Sequence, residues 1–162
     1  MTTRVFSQQP DLVAALPQLL SHARRFFAAE VEVLSASPPE REDVTTAYVV
    51  LRLESARYPG NGTFRIESRA NTAADRAAAE VAEVRGRAGG MATLAARCQA
   101  IWSVAPEGEI SGTAELQLSA LLASIALGPV LPADESTLYG VRGAMERAEK
   151  IAHSVSDNTR TK

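Results

Sequence analysis

The alternation of apolar and polar positions predicts where helices and strands lie. Leu12, Leu16, Leu19, Ala23 and Phe26 recur at helical spacing, which predicts a helix over about 18–29, with Pro17 kinking or splitting its start. The period then changes. Val31 and Val33 alternate with Glu30 and Glu32 as in a half-buried strand. A polar, proline-broken segment, ASPPERED, follows. In TTAYVVLRLES, Val49, Leu51 and Leu53 take one face and Tyr48, Val50, Arg52 and Glu54 the other. After the turn cluster RYPGNG, Phe64 and Ile66 point inward and Arg65, Glu67 and Arg69 outward. Three successive strands joined this way predict an antiparallel meander with one solvated face.

From Asn71, read as an N-cap, the pattern is helical. Ala74, Ala77, Val81, Val84, Ala88, Met91, Ala95, Cys98 and Trp102 follow in steps of three and four without a slip. The spacing predicts one long helix over about 72–104, with that stripe toward the core. TAELQLSALLASIALGP is apolar nearly all round and predicts a central, buried helix, with Gly128 as its C′ residue. A last helix starts near Asp134 or Ser136 and carries Leu138, Val141, Met145, Ala148 and Ala152. The expected class is therefore α+β, in the order α-β-β-β-α-α-α: a three-stranded meander with about four helices, one of them long and Ala/Gly-rich. Residues 1–153 form a single domain, and 154–162 a polar tail.

The stretch AEVRGRAGGMATLA raises the question of a phosphate loop. Gly86, Gly89 and Gly90 fit neither the P-loop nor the dinucleotide fingerprint, since the residues before them are helical and no lysine follows. The glycines lie opposite the main stripe, on a face with its own 3-4 pattern: Ala79, Ala82, Gly86, Gly89, Thr93, Ala96 and Ala100. Interior glycine costs about 0.5–1 kcal/mol against alanine, so close backbone approach is the expected offset. Ala82, Gly86, Gly89, Gly90 and Thr93, with Gly140 and Gly143 of the last helix, are the candidate interaction face. Its partner is a second element of the chain or a second subunit. A hinge or kink at 86–90 is the competing reading.

Composition narrows the chemistry. The chain has 162 residues with a net charge of −2, a weak argument against a dedicated nucleic-acid surface. The outer sheet residues Tyr48, Arg52, Arg65 and Arg69 share their face with Glu54 and Glu67, which cross-strand ion pairs explain. Cys98 is the single cysteine, so neither an intramolecular disulfide nor a multi-cysteine zinc site is expected. Neither His22 nor His153 has metal spacing. No secretory signal and no membrane-length apolar run is visible, so a cytoplasmic, soluble protein is expected, without cofactor or metal.

Three function classes remain. The first is a non-catalytic interaction protein, an adaptor, chaperone or regulatory subunit that self-associates. The second is a small-molecule binder with an apolar pocket between sheet and long helix at Leu51, Phe64, Met91, Cys98 and Trp102. The third, an enzyme, requires His22, Arg24 or Arg25 to meet Glu30 or Glu32 in a cleft. The α-β-β-β-α start resembles the architecture of small secretion-chaperone or adaptor domains. No motif carries residues across, and fold does not give function.

Overall fold

The computed structural model describes residues 2–37, 47–55 and 57–160, the last six as helix backbone alone. The segment 38–46, which holds most of the polar loop expected between the first two strands, lies outside the described residues. The elements are β1 (Thr3–Ser7), α1 (Leu16–Phe26), β2 (Ala29–Ser37), β3 (Ala47–Ser55), β4 (Gly60–Ala70), α2 (Ala73–Gly86), α3 (Met91–Ala96), β5 (Ala100–Pro106), β6 (Ser111–Gly112), α4 (Ala114–Ala126), β7 (Val130–Leu131) and α5 (Val141–Arg160). The class is α+β. The expected three strands and four helices become seven strands and five helices among the described residues. The helix α5 continues through most of the segment read as a tail.

The expected meander is present as β2-β3-β4, with Val31 opposite Leu53 and Leu51 opposite Phe64. The sheet then continues through β5 and β1 to β7, all antiparallel, while the short β6 pairs with β4. Successive residues alternate faces. Val5, Leu51, Phe64 and Trp102 therefore lie under α1, α4 and α5 in one core, and Phe6, Ile101 and Leu131 under α2 and α3 in a second, smaller one. Ten of the thirteen residues of α4 are buried, which explains its all-round apolar sequence. Pro17 sits in the first turn of α1, where its missing N–H removes no helical bond, so it starts the helix instead of kinking it.

The long helix over 72–104 does not exist. Arg87 takes the left-handed conformation (φ 51°) and ends α2, the N–H groups of Arg87 and Ala88 returning to Val84 and Glu83 carbonyls. Gly90 (φ 90°) turns the chain into α3, and Ala100–Pro106 is a strand. The 3-4 stripe is also reversed. Asp75, Ala79 and Ala82 are the buried residues of α2, whereas Val81 and Val84 are exposed, Val84 by 78%. Its N-cap is Thr72, in a reciprocal capping box with Asp75, rather than Asn71. Asn71 instead donates its amide to the Ala95 and Cys98 carbonyls.

The glycines divide by position. A Cβ on Gly86 meets Thr137 Oγ1 at 1.9 Å and the Thr137 Cα at 2.8 Å. Around Gly89 nothing lies within 4 Å. Gly86→Ala is therefore expected to lower stability by about 1–2 kcal/mol, overpacking outweighing the gain in helix propensity. Gly89→Ala is expected to raise it by about 0.4–1 kcal/mol by restricting the unfolded chain. Urea denaturation midpoints at constant slope measure both; equal shifts for the two variants contradict the assignment.

Candidate interaction surface

Phe26 and Phe27 end α1 on adjacent residues, so one helix face cannot bury both. Phe27 enters the core and Phe26 is left 63% exposed. The His22 and Phe26 rings stand nearly perpendicular, with their centres 5.2 Å apart. Beside them stands the β3–β4 turn with Arg57 and Tyr58, its guanidinium 5.3 Å from the tyrosine ring centre. Gln117 of α4 is buried and fixes this turn. It donates to the Tyr58 carbonyl (2.6 Å) and to Thr113 Oγ1 (2.6 Å), and accepts from Ser55 Oγ (2.6 Å). Thr113 Oγ1 donates to the same carbonyl at 3.0 Å. A buried network with each member partnered holds geometry firmly.

The third wall is α5, which packs on α4 through Ala144 and Ala148, both fully buried. Its N-terminal anchor is Tyr139, whose hydroxyl is pushed up to about 12 by burial, with Arg147 lying 4.5 Å over its ring. Val141 and Met145 face a concavity of about 310 Å³ that Phe26, Phe27, Arg57 and Tyr58 complete. Ile151, 40% exposed, and His153 border a second concavity of about 330 Å³ with Tyr58, Pro59 and Thr113. Arg57 and Tyr58 line both, so the two adjoin. Arg57 and Arg142 stand among Glu146 and Glu149, giving the face both signs of charge.

The sequence-predicted residues fall elsewhere. Ala82 is fully buried in the smaller core, and Gly86 is exposed, with Thr137 packed where its Cβ would stand. Gly89, Gly90 and Thr93 are exposed. A Cβ on Gly140 lies 3.8 Å from Met91, and one on Gly143 meets Tyr139 at 2.8 Å. These residues do not share one open face. Of the pocket residues, Leu51, Phe64 and Trp102 pack together in the larger core, while Met91 and Cys98 belong to the smaller core across the sheet. Burial pushes the Cys98 thiol up to about 11, which keeps it protonated and poorly nucleophilic.

His22 meets Ser124 rather than a carboxylate, Nδ1 to Oγ being 3.1 Å. Ser124 donates its own proton to the Leu121 carbonyl at 2.6 Å, so its oxygen serves as the acceptor and His22 as a tie between α1 and α4. On the outer sheet face the ion pairs run along strands, Arg65–Glu67 at 2.7 Å and Arg52–Glu54 at 3.6 Å, instead of across them. Across strands, Arg65 stacks 4.1 Å over Tyr48. Among the described residues no helix is long and apolar enough to cross a membrane.

The surface at α1, α5 and the β3–β4 turn was legible in part. Adjacent phenylalanines at a helix end and Ile151, which lies off the stripe Val141, Met145, Ala148, Ala152, are both signals of exposed apolar residues. That Arg57 and Tyr58 stand between them is a tertiary fact.

Together these features define an α+β domain: an antiparallel sheet with helices on both faces, and an apolar, mixed-charge face at one end of its larger helical layer. The chain matches no protein-family model, no curated protein and no solved structure.

Proposed function

We propose that this chain is a non-catalytic interaction domain that self-associates, with a second copy docking on the face formed by α1, α5 and the β3–β4 turn. The observation that carries this reading is an exposed aromatic knob, Phe26, beside two adjoining hollows. Phe, Tyr, Met and Arg are the residue types enriched at interface cores, and all four occur here. An isologous pair requires one patch to complement itself. This one carries knob and hollow together, and Arg57 and Arg142 together with Glu146 and Glu149. A two-fold operation can therefore set apolar against apolar and acid against base. The small-residue face of α2 is a poorer candidate, because Ala82 and Gly86 are engaged within the subunit.

Sedimentation equilibrium over about a hundredfold range of concentration tests this reading, since mass action shifts a dimer and leaves a monomer alone. The wild-type chain is expected to dimerise, and Phe26→Asp to be monomeric with an unchanged circular dichroism spectrum. An exposed position tolerates such a change within about 0.5 kcal/mol of stability. A wild-type monomer at every concentration, or a dimer that Phe26→Asp and Ile151→Asp both leave intact, overturns the proposal.

A further inference from the structure

On the opposite face of the sheet, two arginines share one buried acid. Arg4 of β1 stands opposite Ser103 and Arg69 of β4 opposite Ile101, so the two flank β5 on the same side. Asp75, 2% exposed, lies over them. Its Oδ1 accepts from Arg4 Nη1 (2.9 Å) and Arg69 Nη2 (2.8 Å). Its Oδ2 accepts from Arg69 Nη1 (2.6 Å), the Thr72 amide (3.0 Å) and the Thr72 hydroxyl (2.8 Å). One carboxylate thus orients two guanidinium groups and neutralises one of them.

The second positive charge is met by Glu135, whose Oε1 accepts from Arg4 Nη2. Arg4, Arg69, Glu135, Thr2 and Ala133 line a hollow of about 240 Å³. Asp75 is not among its lining residues. The hollow therefore presents two fixed guanidinium groups and a single carboxylate, and that carboxylate is held differently from Asp75. Glu135 belongs to a surface turn closed by its own N–H on the Pro132 carbonyl (2.9 Å). Its backbone is left-handed (φ 53°), a conformation that L-residues rarely adopt. Arg4 is its side chain's only partner among the described residues. Backbone strain that delivers one carboxylate to a preset arginine is an outlier that motivates a functional reading.

We infer that the hollow at Arg4 and Arg69 is a binding site for a small organic acid, and that Glu135 occupies it as a tethered internal carboxylate until the ligand displaces it. The chemistry is the match between guanidinium donors and a planar carboxylate, which arginine recognises with two parallel hydrogen bonds. Displacing Glu135 leaves the pair with a net charge of +1, counted as two arginines against Asp75. A ligand carboxylate restores neutrality. A tethered competitor acts at a millimolar effective concentration, so the wild-type site is weak and its removal strengthens binding. The site lies across the sheet from the self-association face and does not depend on it.

The experiment is calorimetric titration with succinate at constant ionic strength set by chloride, with inorganic phosphate as the comparison anion. Succinate is expected to bind Glu135→Gln saturably, and at least about tenfold more tightly than the wild type, as release of a competitor requires. Glu135→Ala, which removes the side chain outright, is expected to do the same. Folding of both is checked by circular dichroism. Absence of saturable binding in both folded variants, equal affinity in wild type and variants, or preference for phosphate over succinate overturns the assignment.

Discussion

Asp75→Asn lowers the unfolding free energy by about 3 kcal/mol at neutral pH, the expected scale for breaking a buried, multiply bonded ion pair together with a helix cap. The side chain works on three elements at once. It closes the capping box at the start of α2, and it fixes Arg4 of β1 and Arg69 of β4. Asparagine keeps an acceptor but loses the charge, and leaves two guanidinium groups facing an amide. Arg69 is 40% exposed and can turn to water, which keeps the loss from being larger. Leu or Val at Asp75 would remove the cap acceptor as well and be more damaging.

The same substitution changes the acid limb of stability. Burial alone would raise the Asp75 carboxyl. The hydrogen bonds from Arg69, from the Thr72 amide and hydroxyl, and from Arg4 outweigh it and hold the group well below the usual carboxylate range. A depressed native value stabilises the fold above the unfolded value, about 3.9 for aspartate, and that contribution is lost as pH falls toward the native value. The gap between wild type and Asp75→Asn is therefore expected to be full at pH 7 and to shrink below about pH 4. Urea denaturation at pH 7 and pH 3 measures it. A gap that stays constant between them means that the charge is not what Asp75 contributes.

How much of this arrangement the sequence reveals depends on how many faces each element buries. The strands β3 and β4 bury one face each, so their alternation is clean and their pairing was readable. In β5, Ala100, Ile101, Trp102 and Val104 are all buried, because β5 is covered by α4 on one side and by α3 on the other. A strand apolar on both faces has no period of two, and here its residues continued the phase of the helix before it. The strand β1 is short, with four of five residues buried, and for the same reason carries no readable alternation. In α2 alanine occupies both faces, so periodicity fixed the helix but not its orientation. The polar residue was the better guide: T-x-x-D over Thr72–Asp75 is a capping signature, and it places Asp75 at the helix start. Its two arginine partners, 71 and 6 residues away in the chain, could not be read from local pattern.

Gly128→Ala is the second change expected to be severe, at about 3 kcal/mol, because the added methyl group strikes backbone that cannot move. Its Cβ would stand 2.0 Å from the Phe6 carbonyl oxygen and 2.8 Å from Cys98 Sγ. The sequence placed Gly128 as the left-handed residue ending α4. That role falls to Leu127 (φ 56°), whose N–H returns to the Ala123 carbonyl. Gly128 is needed instead for close approach, where the chain leaving α4 runs against β1. Phe6 N–H donates to the Pro129 carbonyl at 3.0 Å, and Gln8 N–H to the Ala126 carbonyl at 2.9 Å, on either side of the contact. Moving β1 away to admit a methyl group breaks these bonds, each contributing about 1 kcal/mol, and opens the smaller core where Phe6 and Cys98 pack. Leu127→Gly, one residue earlier, relieves left-handed strain at an exposed position and is expected to stay within about 1 kcal/mol of the parent. Thermal and urea unfolding of the two variants side by side check the assignment. If Leu127→Gly is the damaging change and Gly128→Ala is tolerated, the helix ends at Gly128 as its sequence first indicated, and the close approach to β1 is not what selects glycine there.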